Sequence, residues 1–336
     1  MVKAVISGYY GFKNFGDEAI LSVLVEHLKK VGVDITVFSS DPDFTSKMYK
    51  VNSVKSFDLF KVVKSIAKSD ILISGGGSLL QDVTSLKSLV YYSSIIALGL
   101  LFNKKVVIFA QGIGPINNNF AEYIVMNLLK FATLVTVRDE LSLKLLDTNK
   151  VRAKIVCDPI YSLNVSRKYP ENSVGIQLRD FKTMNLNLLN KLAIFIANHF
   201  SDKKIEIFSL QQSLDMDVSR KFEVILHSIK PEINTEIVTD NIVERISKLE
   251  YMIGMRFHAL LVAIKSGVKT CAINYDIKVE KLAADASIPI IPMSADIDFE
   301  ELYSKLHNLS GEKLLEFAAS KSFDWSIFDE LFVISK

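Results

Sequence analysis

Cysteine is nearly missing: Cys157 and Cys271 are the only two in 336 residues, and they form no CxxC or Cys/His metal pattern. That speaks against a disulfide framework and fits a reducing cytoplasm. Charge of one sign is equally scarce, with 40 Lys+Arg against 38 Asp+Glu for a net +2. The basic excess of a duplex nucleic-acid binder is absent, so no nucleic-acid partner is expected. A local anion site needs only a few well-placed cations and stays open. No apolar run reaches the ~20 residues of a membrane-spanning helix. The longest, Leu89–Phe102, reads as a buried helix, with a partly membrane-facing one as the alternative. The opening MVKAVISGYY reads as a first strand rather than a signal peptide. HExxH, GxSxG, P-loop and EF-hand patterns are all lacking, so metalloprotease, α/β-hydrolase, P-loop and calcium chemistry have no support and no metal is expected.

What is present is apolar bulk in quantity, 49% hydrophobic residues against 23% charged, and a length that suggests about two domains. Continuous apolar runs alternate with segments of helical period. In the first half the expected strands are Lys3–Ser7, Asp34–Ser39, Asp70–Ser74, Lys105–Ala110, Leu134–Val137 and Lys154–Cys157. Such unbroken runs belong to parallel sheets covered on both faces, so a doubly wound α/β unit is expected over 1–160. A polar stretch, 161–172, reads as a linker. The alternation restarts over 173–298, with strands expected at Val174–Leu178, Lys204–Ser209, Thr235–Val238, Tyr251–Gly254, Lys269–Asn274 and Ile288–Pro292. Residues 299–336 read as helical. Two Rossmann-like domains facing a cleft are the expected architecture, with ligands at the carboxyl ends of the strands.

The residues at those ends carry the chemistry. After the first strand comes GYYGFKNFGDE, where Asn14 and Asp17 are able to bind a sugar hydroxyl or to cap a helix, capping being the commoner role for an aspartate. The spacing GxxGxxxxG is not the GxGxxG of a dinucleotide site. Gly75-Gly76-Gly77 and Gln111-Gly112-Ile113-Gly114 follow two further strands, either as tight turns or as loops that admit a ligand close to the backbone. Arg138 ends another strand beside Asp139 and Glu140, so local pairing and anion binding are both open. Arg179 ends the first strand of the second half and carries less weight. In MRFHAL, Arg256 and His258 open a helix that is apolar on all sides, which favours an anion site at its start. Lys278 ends the next loop.

Taken in order, GYYGFKNFGDEAIL, GGGSLLQD, QGIGP, VRD and MRFHAL resemble the polysaccharide pyruvyl transferases, with the CsaB-type branch that modifies secondary cell-wall polymers as the nearest match. The resemblance runs from Gly8 to about Lys278. It implies a B-type glycosyltransferase-like fold, phosphoenolpyruvate as donor, and a sugar acceptor, often a lipid-linked disaccharide bearing ManNAc. The implied product is a 4,6-linked pyruvate ketal with phosphate released, and no cofactor. It implies Arg138, His258 and Lys278 as catalytic, joined by Arg256 and Gly112 at the donor. On the acceptor side the candidates are Asn14, Asp17, Gly76 and Gly77. The expected location is the cytoplasm, with peripheral contact to the inner membrane face left open. The rivals are a nucleotide-sugar-dependent glycosyltransferase of the same fold and a non-catalytic glycan-binding protein.

Overall fold

Apolar runs become the inner strands of two parallel sheets in the computed structural model, which describes residues 1–166, 168–181, 185–292 and 297–332. Arg167 of the expected linker and the last four residues of the expected C-terminal region therefore lie outside the described residues. The chain forms two units: Met1–Leu163 with the C-terminal segment from Ser322, and Asn164–Lys321.

In the first unit the strands are β1 (Lys3–Ser7), β2 (Asp34–Ser39), β3 (Asn52–Lys55), β4 (Ile71–Ser74), β5 (Lys105–Gln111), β6 (Leu134–Val137) and β7 (Lys154–Ile155). Their order is β3-β2-β1-β4-β5-β6-β7. Every pairing is parallel. Ile6, Val37, Leu72, Val106 and Ile108 are wholly or almost wholly buried, as strands covered by helices on both faces must be. β3 and the helix before it, Pro42–Tyr49, are not anticipated by the apolar pattern. Their signals are weak for a physical reason. β3 is a four-residue edge strand with no buried residue, and the short helix buries only Thr45 and Tyr49, so neither needs an apolar run.

The second unit holds β8 (Ser173–Gln177), β9 (Lys204–Phe208), β10 (Thr235–Val238), β11 (Tyr251–Gly254), β12 (Lys269–Asn274) and β13 (Ile290–Pro292), again all parallel. Their order is β10-β9-β8-β11-β12-β13. In each sheet the order reverses beside the first strand, between β1 and β4 and between β8 and β11. Successive connections there leave toward opposite faces, opening a crevice above the carboxyl ends. The helix after β11, Phe257–Lys265, buries every residue from Ala259 to Ile264, as its apolar composition requires.

The tail divides between the units. Helices Phe299–His307 and Gly311–Ala319 belong to the second, whereas Phe323, Trp325 and Phe328 pack on Phe109 of the first at ring-centroid distances of 5.4, 5.7 and 5.1 Å. Among the described residues no helix is long and apolar enough to cross a membrane.

Candidate active site

In the second unit, Arg179, Arg256–His258 and Tyr275–Lys278 follow three neighbouring strands, β8, β11 and β12. Arg256 stands just before the helix Phe257–Lys265 and is fixed from two directions. Its Nε and Nη2 donate to the two carboxylate oxygens of Asp215 at 2.8 and 2.6 Å. Asp215 is completely buried and also accepts the N–H groups of Leu210 and Gln211 at 3.1 Å each. From below, the side-chain oxygen of Gln177 accepts the N–H of Arg256 at 2.7 Å and that of Met255 at 3.2 Å. A bidentate, charge-assisted pair of this kind is directional as well as strong, so the guanidinium has one orientation. Nη1 takes part in none of these bonds.

His258 lies in the first turn of the same helix, half-buried, its ring edge-on to Phe257 at 5.3 Å. Backbone N–H groups of a first turn have no partner within the helix, and the dipole there favours an anion. Lys278 occupies the first turn of helix Ile277–Asp285, where its own N–H bonds to the capping Asp276 at 2.9 Å. Arg179 lies with its guanidinium 5.6 Å from the centre of the Tyr275 ring. Its Nε is buried and has no hydrogen-bond partner among the described residues.

The glycine loops of the first unit gather around β1, β4 and β5. Asn14 caps helix Phe15–Lys30 by accepting the N–H of Gly16 at 3.2 Å, so the capping role expected of Asp17 falls three residues earlier. Asp17 is thereby left to face Gly77. A Cβ at Gly77 would lie 2.5 Å from the Asp17 carboxylate, and Gly77 has φ +95, so glycine is required there on both counts. Beside it, burial first and the Asp17 charge second push the hydroxyls of Tyr9, Tyr10 and Tyr92 above the usual tyrosine range. Burial also raises the carboxyl of Glu18, which accepts from the Tyr49 hydroxyl at 2.6 Å and the Gly11 N–H at 2.8 Å.

Gly76 packs on Ile20, where a Cβ would meet a methyl at 2.6 Å, and the N–H of Gly112 donates to the Gly77 carbonyl at 2.9 Å. Both glycines thus shape the loops by close packing. Beneath them Gln111 donates to Ser74 Oγ and the Gly75 carbonyl, each at 2.8 Å. Three buried polar atoms at this point, Ser7 Oγ, Tyr10 Oη and Gln111 Oε1, have no partner among the described residues. An unmet buried group costs about 1–3 kcal/mol, so such a cluster is retained against the interest of stability. At the end of β6, Arg138 pairs with Asp158 at 2.7 Å and reaches Ser78 Oγ at 3.4 Å. The local carboxylate Asp139 is occupied otherwise, capping helix Glu140–Thr148 through Ser142.

The sequence model for polysaccharide pyruvyl transferase matches residues 14–277. The chain belongs to that family. This pyruvyl transferase family member also shares its fold with solved structures of low sequence identity. Anabaena HepE in complex with UDP-glucose superposes with a TM-score of 0.64 at 11% identity, over 99% of this chain and 98% of that one. A UDP-N-acetylglucosamine 2-epimerase homologue from Listeria monocytogenes gives 0.61 at 9% identity, over 94% and 90%. MurG from Acinetobacter baumannii gives 0.53 at 13%, over 95% and 94%. These likenesses establish the two-Rossmann composition of the B-type glycosyltransferase fold. No curated protein matches the sequence.

For this transferase, sequence reasoning missed the residues that hold others in place: Asp215 and Gln177 behind Arg256, Asp158 behind Arg138, and Tyr275 beneath Arg179. Asp215 carried one usable signal, an acidic residue in the first turn of an amphipathic helix. That signal points to the dipole and gives no hint of Arg256, 41 residues away.

Proposed function

We propose that the chain transfers the pyruvyl unit of phosphoenolpyruvate, protonated at its enol methylene, to a sugar of a cell-wall polysaccharide precursor, closing a 4,6-pyruvate ketal and releasing phosphate. One observation carries the reading. Arg256 is locked by the buried Asp215 at the mouth of the helix that carries His258 in its first turn. The family supplies the reaction class, and this arrangement supplies groups suited to its donor.

The donor bears a carboxylate and a phosphate. Arg256 presents its remaining edge to one, Lys278 a compact charge to the other, and Arg138 joins the donor set by its place in VRD. The reaction starts with a proton added to the methylene carbon, which leaves C2 electron-poor. A sugar hydroxyl then bonds to C2 and gives up its proton. The second hydroxyl bonds to the same carbon and gives up its proton as the C2–O bond to phosphate breaks, the bonding pair leaving with the phosphate. His258 is assigned to proton transfer, a task imidazole performs near neutral pH. Asn14 and Asp17 are assigned to the acceptor hydroxyls, with ManNAc of a lipid-linked precursor as the acceptor sugar.

His258→Gln is expected to melt like the parent and to lower kcat by about 10²–10⁴, measured as phosphate release from phosphoenolpyruvate with a glycan acceptor. Unchanged turnover in the folded variant removes His258 from the chemistry. In the same assay Arg138→Ala and Lys278→Ala raise the donor KM. The rival use of a nucleotide-sugar donor draws on the UDP-glucose bound to HepE. A thermal shift with UDP-glucose and none with phosphoenolpyruvate would decide for it.

A further inference from the structure

Three neighbouring helices of the first unit, Leu59–Lys68, Leu86–Leu101 and Asn119–Lys130, expose large apolar side chains near their amino-terminal ends. Phe57, Leu59 and Phe60 stand out at the first, Leu86 and Val90 on the second, Phe120 and Tyr123 on the third. Phe60 is 77% exposed and Phe120 73%, far beyond the fraction that packing leaves to a phenylalanine. These helices follow β3, β4 and β5, so their starts lie on the carboxyl edge of the sheet, the edge that carries the glycine loops.

Side-chain bonds join the three starts into one surface. The Tyr91 hydroxyl donates to the Ser56 carbonyl at 2.8 Å, and the Tyr91 ring lies 5.5 Å from that of Phe57. Asp82, just ahead of the second helix, accepts the N–H groups of Asn117 and Asn118 at 2.8 Å, just ahead of the third. Apolar residues scattered singly need no explanation, whereas a joined set marks an interaction surface.

Charge selects the occupant. Lys55, Lys64 and Lys87 are exposed around these side chains, while Lys61, also exposed, pairs with Asp58 at 3.2 Å. The acids nearby, Asp58, Asp82 and Glu122, are only partly exposed and already accept hydrogen bonds from Lys61, Asn117 and Asn149. Aromatic and leucine side chains among lysines match the boundary between headgroups and acyl chains of an anionic membrane. We propose that this end of the helical layer docks on an anionic phospholipid bilayer, its phenylalanines entering the interface and its lysines on lipid phosphates. The surface stands independently of the reaction assigned above. Only its purpose, delivery of a lipid-linked acceptor to the adjacent glycine loops, rests on that reading.

Cosedimentation of the full chain with phosphatidylglycerol/phosphatidylcholine vesicles tests it, beside vesicles of phosphatidylcholine alone. The parent protein is expected to pellet with the anionic vesicles and to be released in part by salt. The double variant Phe60→Ser/Phe120→Ser, with unchanged circular dichroism and melting, is expected to partition about tenfold less or weaker. A parent protein left in the supernatant at low salt overturns the proposal, as does a double variant that binds equally well. Concentration-dependent dimerisation that the same variant abolishes, without vesicle binding, assigns the surface to a second copy and likewise overturns it.

Discussion

Arg256 spends part of its charge inside the protein before any substrate arrives. Its partner Asp215 is inaccessible to solvent and already accepts two backbone N–H groups. Breaking a buried ion pair by neutralising one member leaves the other desolvated and uncompensated, at a cost of roughly 3–5 kcal/mol. Asp215→Asn should therefore lower the denaturant midpoint of the second unit substantially, and turnover should fall as the guanidinium loses its fixed orientation. A midpoint within experimental error of the parent would mean that Gln177 alone holds the loop. At this scale His258 was legible in the sequence because it opens a helix with no polar face, so its surroundings followed from its neighbours in the chain. Asp215 was not, since only the packing of helix Gln212–Ile229 on β9 and β10, in the same sheet as β11, brings it to Arg256. The pairing of Arg138 with Asp158 is hidden for the same reason: the nearer carboxylates, Asp139 and Glu140, look the better partners on paper.

Elements were legible in proportion to how much they bury. β1, β4, β5, β8, β11 and β12 are inner strands whose apolar runs announce them, and the helix Phe257–Lys265 is recognisable by the same token. β3 sits at a sheet edge, where half-buried polar residues suffice, whereas β10, also at an edge, is read at its full extent through Ile237 and Val238. β10 also carries an electrostatic tie. Glu236 on β10 accepts from both terminal nitrogens of Arg245, at 3.1 and 2.7 Å, and Arg245 reaches Glu206 on β9 at 2.7 Å. Hydrogen bonds from Arg245 first, then from Lys204, hold the Glu236 carboxyl down to about 2, against an ordinary 4.5. A depressed carboxyl stabilises the fold at pH above its unfolded value and loses that contribution as pH falls toward its folded one. Glu236→Gln should thus melt below the parent at neutral pH. The gap should close as pH drops from 4.5 toward 2. A gap that stays constant through this window would exclude the tie as a source of acid sensitivity.

On the scale of the whole molecule, the two doubly wound sheets follow from the alternation of apolar runs and helical segments, and length together with the restart of that alternation after the polar stretch suggests their number. The division of the tail did not follow. From Phe299 onward the sequence reads as helical, and nothing in its period says which unit each helix covers. Phe323, Trp325 and Phe328 resolve it by closing on Phe109, while the Trp325 ring stacks on His27 at 4.0 Å and Asp329 meets the His27 ring nitrogen at 2.7 Å. A chain ending at Lys321 is expected to keep the melting of the second unit and lose part of that of the first, as read by calorimetry. Equal loss from both transitions would contradict the assignment. Synthesis runs from the amino terminus, and domains generally fold as units when they emerge. Here the strands of the first unit leave the ribosome well before Phe323, Trp325 and Phe328, so the aromatic seam at Phe109 is sealed only after the whole second unit has been made.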